Sequence, residues 1–155
     1  MKAILRTLAV TAAICTAPAW AAPEPTSNAQ PADPVIEKVT AAIAAKDWKQ
    51  AQDIMREGIS KAPANAEYHN LYAYSIRMGA NPQMDLVFRH YNEALRLNPD
   101  HRGAHEYLGE AYLMTGNLAK AKEHLQVLDK MCFLPCREFS TLKQAVADYE
   151  AKRPK

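Results

Sequence analysis

Two short stretches hold residues whose types and spacing could do chemistry. The first is Cys132-Phe133-Leu134-Pro135-Cys136. Two thiols four positions apart, around a proline that interrupts a helix, can close a disulfide across the bend. So short a ring would constrain the unfolded chain by about 2 kcal/mol. The same pair could be redox-active, since a thiol at a helix N-terminus is more easily held as thiolate. Against that stand the spacing, which is not Cys-x-x-Cys, and the lack of a βαβ pattern around it. A third reading is metal capture by the two thiols with His105 or His124, although a closed zinc site needs four ligands. A fourth is a pair of intermolecular disulfides. The second stretch is HRGAHEYLGE, where His101 and His105 are four apart with Glu106 and Glu110 beside them. A helix would present these as neighbours. The order is not H-E-x-x-H, because the glutamate follows the second histidine, so His105 reads as a partly buried packing residue rather than a ligand.

No catalytic set can be assembled from the rest. There is no nucleophile-base-acid arrangement, no phosphate-binding loop, no dinucleotide fingerprint and no paired carboxylate in an apolar setting. Asp47, Asp53, Asp85 and Glu93 read as helix-surface charges, and Asp100 as the N-cap of a helix. The expectation is therefore a protein with no catalytic residue, no metal and no cofactor.

The chain has 155 residues, 48% apolar and 23% charged, with a formal net charge of +2. That suits one compact domain. Its start reads as an address: Lys2 and Arg6 precede the apolar run Leu8 to Cys15, and Ala19-Trp20-Ala21 has the small-x-small pattern of a signal-peptide cleavage site. The run is shorter than the ~20 apolar residues that cross a bilayer. Residues 1–21 are expected to be removed, which leaves no stable membrane span and implies export to the periplasm of a Gram-negative bacterium. They contain two of the 19 basic residues and none of the 17 acidic ones, so the remainder is balanced at 17 of each. The basic excess belongs to the leader, and with it goes the electrostatic case for a nucleic-acid partner. Residues 22–33, APEPTSNAQPAD, are proline-rich, polar and aperiodic, and read as a flexible linker.

After Pro34 apolar and small residues recur every three or four positions almost to the end, and no alternating strand pattern or hairpin dipeptide occurs. The fold class is all-α. Pro63 and Pro99 each close a helical run and lie 36 residues apart. The unit ending at Lys130 places Leu108, Gly109, Tyr112, Gly116, Ala121 and Leu125 at intervals that resemble the tetratricopeptide repeat. In the unit before it, Tyr68 and Leu71 match the front of that pattern and Tyr91, Ala94 and Pro99 the back, with a turn at GANPQ about three residues longer than usual. The first unit matches at Trp48, Ala51, Met55 and Pro63, with Lys46 in place of the turn glycine. Residues 34–131 thus resemble three repeats, residues 132–136 form a Cys-x3-Cys turn, and residues 137–152 carry one apolar stripe, Phe139, Leu142, Val146 and Tyr149, as a terminal capping helix requires.

The resemblance implies an α-solenoid of antiparallel helix pairs whose first helices line a concave face. It puts His105 where the family has a large aromatic. Carried over position by position, the concave face would be lined by Ile36, Thr40 and Ile43, then His69, Asn70, Ala73 and Arg77, then Glu106, Glu110, Leu113 and Met114. Arg77 and the two glutamates would make it mixed in charge and suited to a polar peptide. The function expected is non-catalytic: an adaptor or assembly factor that binds another envelope or periplasmic protein or peptide. The alternative is a thiol-disulfide or metal-handling accessory protein acting through Cys132 and Cys136.

Overall fold

The computed structural model describes residues 33–134 and 136–152, so the expected signal segment, the linker up to Ala32 and the helix-breaking Pro135 lie outside the described residues. Pro31–Lys155 form one compact unit. Within it the described residues form seven α-helices and no strand: α1 Pro34–Ala44, α2 Trp48–Lys61, α3 Ala66–Arg77, α4 Met84–Leu97, α5 Arg102–Met114, α6 Leu118–Met131 and α7 Arg137–Ala151. The all-helical reading, the three pairs and the terminal helix are present as expected. None of these helices is long and apolar enough to cross a membrane.

Local capping chemistry explains where the helices begin. Asp33 Oδ1 accepts from the Val35 N–H with Pro34 at the first helical position, and Asp47, Asn65 and Asn117 cap α2, α3 and α6 in the same way. Asp33 was expected to end the flexible segment. Instead it also accepts from the Tyr68 hydroxyl at 2.7 Å, which ties α1 to α3. The start of α5 differs from expectation too: the cap is His101, whose Nδ1 accepts from the Ala104 N–H at 3.2 Å, and Asp100 is exposed. The imidazole serves because its Nε2–H is anchored 2.7 Å from Glu67.

The connection from α3 to α4 spans residues 78–83, against three residues in each of the other two intra-pair turns. Lys46 and Gly116 occupy the left-handed position of those short turns, at φ 56° and 82°. In both, the following amide reaches back to close the helix, Asp47 to the Ala42 carbonyl and Asn117 to that of Tyr112.

Helices α1, α3, α5 and α7 touch one another in series, whereas α2, α4 and α6 contact only their neighbours in sequence. The first helices are therefore the inner layer. Core residues such as Val39, Met55, Tyr72, Val87, Tyr91 and Leu108 fill the front, and Leu113, Ala121, Leu128, Leu142 and Val146 the rear. Gly109 permits the closest helix approach, since a Cβ there would sit 2.6 Å from Leu142 of α7. The second repeat is in a register one residue later than the sequence pattern suggested. His69, not Tyr68, corresponds to His105, because both stand four residues after a helix cap, at Asn65 and His101. Tyr72 and Ala73 are thus the counterparts of Leu108 and Gly109, and they are buried while Leu71 is only half so.

Candidate functional site

The inner layer carries one dense polar and aromatic cluster between α3 and α5. At its centre is Arg77, in the last turn of α3, where a cation complements the helix dipole. Its guanidinium lies over the paired rings of Tyr74 and Tyr107, 5.5 and 5.6 Å from their centroids, and those rings are 4.8 Å apart. Its Nη2 donates to Glu110 Oε2 at 2.8 Å, its Nε to the Tyr91 hydroxyl at 3.3 Å, and Nη1 meets the Met114 sulfur at 3.8 Å. A buried guanidinium with this many partners is stabilised where it stands. It fixes α5 against α3 and turns Glu110 inward.

The eight residues expected to line the concave face separate into groups. Glu110 and Arg77 are brought together, as are Arg77 and Met114. His69 turns away into its own repeat, between the Pro63 carbonyl and His90, and His105 lies likewise between the Pro99 carbonyl and His124, the packing role expected of it. Ala73 and Leu113 are core residues. Asn70 and Glu106, at corresponding positions of α3 and α5, are 2% and 1% exposed, pressed between first helices of successive repeats. Asn70 Oδ1 and Glu106 Oε2 make no hydrogen bond. The cation nearest Glu106 Oε2 is Arg137 of α7, 3.7 Å away. Burial, only partly offset by Arg137, pushes the Glu106 carboxyl up to about 7. In the first repeat Ile36 and Ile43 are half-buried against the core and Thr40 is exposed.

The reachable surface of the inner layer is consequently different from the mixed-charge groove expected. Arg77 is neutralised by Glu110, and Glu106 is sealed beneath α7. What remains outside is Met78 at 41% and Met114 at 54% exposure, with half-buried Tyr74 and Tyr107 between them. Beyond Met114 a shallow groove of about 360 Å³ continues along Leu113, Ala145 and Tyr149 to Asp148 and Lys152. Met78, Tyr74 and Tyr107 escaped sequence reasoning. The usable signal was the 36-residue recurrence of Met78 and Met114, in the same register as His69 and His105.

Cys132 and Cys136 are bonded at 2.07 Å, joining the end of α6 to the cap position of α7. The loop they close leaves Phe133 and Leu134 in solvent, at 99% and 74% exposure. Among the described residues no group of three or more histidine, cysteine, aspartate or glutamate side chains is arranged to hold a metal.

The sequence of residues 89–130 matches the family model of the tetratricopeptide repeat. The whole helical unit superimposes on solved repeat domains of that family. Residues 89–130 thus carry the sequence of a tetratricopeptide repeat, and the helices around them share the fold of such repeats. A search of curated proteins gave no match. Among solved structures, this chain is similar to the TPR2B domain of yeast Sti1, solved in a complex with pHsp70, at TM-score 0.68 and 16% identity over 77% of this chain and 95% of that one. It is similar to the first TPR domain of human RPAP3, at TM-score 0.63 and 19% identity over 77% and 94% of the two chains. It is also similar to the Yersinia enterocolitica type III secretion chaperone SycD, solved with a peptide of the translocator YopD, at TM-score 0.63 and 15% identity over 76% and 88%.

Proposed function

We propose that this protein is a non-catalytic interaction module that seats a peptide, or an extended segment of a partner protein, across the inner helix layer. The observation that carries the reading is the exposure of Met78 and Met114 at matching stations at the C-terminal ends of α3 and α5. Methionine side chains re-pack around apolar groups of differing shape, so the occupant is a segment with large apolar side chains about one repeat apart. Support comes also from the solved relative that was captured with a peptide of its translocator. The signal-type N-terminus supports export, and the partner is then another envelope or periplasmic protein.

Selection of random peptides displayed on phage tests this directly. The unmodified protein is expected to enrich sequences with aliphatic or aromatic residues, and the Met78→Glu/Met114→Glu variant is expected to lose that enrichment. Equal enrichment on both, or wholly polar winners, would show that the wrong surface has been chosen. N-terminal sequencing of protein recovered from the periplasmic fraction checks the export reading, which requires a chain beginning at Ala22.

A further inference from the structure

Repeats two and three each close with the same device. His69 Nε2 lies 2.9 Å from the Pro63 carbonyl and His69 Nδ1 lies 2.8 Å from His90 Nδ1. His105 Nε2 lies 2.9 Å from the Pro99 carbonyl and His105 Nδ1 lies 2.9 Å from His124 Nδ1. A carbonyl only accepts, so Nε2 of His69 and of His105 must carry a proton, and in the neutral rings their Nδ1 atoms are acceptors. It follows that His90 and His124 donate from Nδ1 and keep Nε2 bare. The geometry dictates four tautomers.

It also dictates a limit on protonation. A proton added to Nε2 of His90 or His124 preserves the N–H···N bond. One added to the first-helix ring must go on Nδ1, where it confronts the partner's own N–H; once both rings are charged, two cations face each other and the bond is gone. The surroundings offer limited relief. Around the first pair stand Arg89 and Glu93 of α4 and the edge-on ring of Tyr72. Around the second stand Asp100 and His101 from the start of α5, Lys120 and Glu123 of α6, and the Tyr112 ring. Burial, and then the facing histidine, push His90 and His124 down to about 4, and burial lowers His105.

We propose that the two pairs are proton-operated latches, holding α3 to α4 and α5 to α6 while neutral and releasing them when acidification charges both rings. The sign is fixed by linkage. Between the ordinary value near 6.5 and the folded value near 4, the open chain takes protons that His90 and His124 refuse in the closed pairs, so the latches weaken as pH falls through that window. Glu106 works the other way between 7 and 4.5, where the folded chain holds a proton the unfolded one lacks, so a Glu106→Gln background isolates the latches. The first repeat is a built-in control, with exposed Glu37 and half-buried Ile54 at the corresponding stations.

Nitrogen-15 NMR of the histidine rings in the full chain is the first test. At pH 7.5 His69 and His105 should be protonated at Nε2 and His90 and His124 at Nδ1; any other set overturns the proposal. Amide hydrogen exchange in α4 and α6, corrected for the intrinsic pH effect, should speed up at least tenfold between pH 7 and pH 5 while that in α2 does not. An equal change in α2 overturns it. The His90→Asn/His124→Asn variant keeps a side-chain N–H donor near each Nδ1 but cannot be charged at those positions, and should show a reduced acid response, the remainder coming from the first-helix rings such as His105; an unchanged response overturns the proposal. Should that variant fail to fold, the tautomers and the α4-against-α2 comparison in the unmodified chain decide. None of these readouts involves a partner, so their failure is separable from failure of the docking reading.

Discussion

The first repeat and the two behind it share a frame but are closed by different forces. In the first, Val39 and Ala42 of α1 meet Ala51 and Met55 of α2, and all four are buried. Its link to the second repeat adds to the shared apolar core two hydrogen bonds, Tyr68 to Asp33 and the Gln52 amide to the Ser75 carbonyl, and the edge-on rings of Trp48 and Tyr74. In the second and third, histidine pairs are added to the apolar contacts, and the seam between them is Arg77 with its two tyrosines and Glu110. Apolar contact is non-directional and indifferent to pH. Charged and imidazole contacts set a single geometry and are lost when a partner or a proton changes. The same fold thus carries an insensitive end and a sensitive middle.

The largest break in that comparison should come from Arg77→Ala. Glu110 and the Tyr91 hydroxyl would lose their partner and two rings their cation, costing about 3–5 kcal/mol in urea unfolding. Exchange protection should fall in α3 to α6 before it falls in α1 and α2. Next, Glu106→Gln should stabilise the protein by about 2 kcal/mol at pH 8 and much less at pH 5. Its carboxyl titrates near 7 in the fold, so the stability it contributes is present below 4.5 and lost as pH rises through 7. Removing the bridge with Cys132→Ser/Cys136→Ser should cost about 2 kcal/mol in thermal unfolding, chiefly by freeing α7. Peptide capture should survive; its loss in a folded variant would favour the thiol reading of that turn. The smallest effect has the opposite sign and belongs to the insensitive end. Lys46 holds a left-handed conformation at φ 56°, so Lys46→Gly should raise the melting temperature by the equivalent of up to about 1 kcal/mol.

Much of this was legible in order along the chain. Gly116 in a turn and the stripe of Leu142 and Val146 each declare themselves within a few residues, and the structure uses each as read. The long turn before α4 was legible for the same reason. Two local readings failed where a neighbour from elsewhere decided. His101 displaced Asp100 as a cap because Glu67, 34 residues away, holds its ring. The second repeat moved by one residue because Pro63 and His90 claim His69.

The site was legible only in outline. Arg77, Glu110 and Met114 were found, but as members of an open groove rather than as one neutralised cluster. Asn70, Ala73 and Glu106 were read as facing a ligand and instead face the next helix, because successive first helices press together along that face.

The sequence alone therefore determined the helices, their number and the pairing of the two cysteines' neighbourhoods, since these rest on periodicity and on spacings of a few residues. Only the tertiary structure decided which polar groups are spent inside and which side chains are left to a partner. Arg77 is satisfied by groups 14 and 33 residues away, and Met78 and Met114 are left over once it is. Burial is a property of what the rest of the chain brings to a residue, and no spacing along the chain records it.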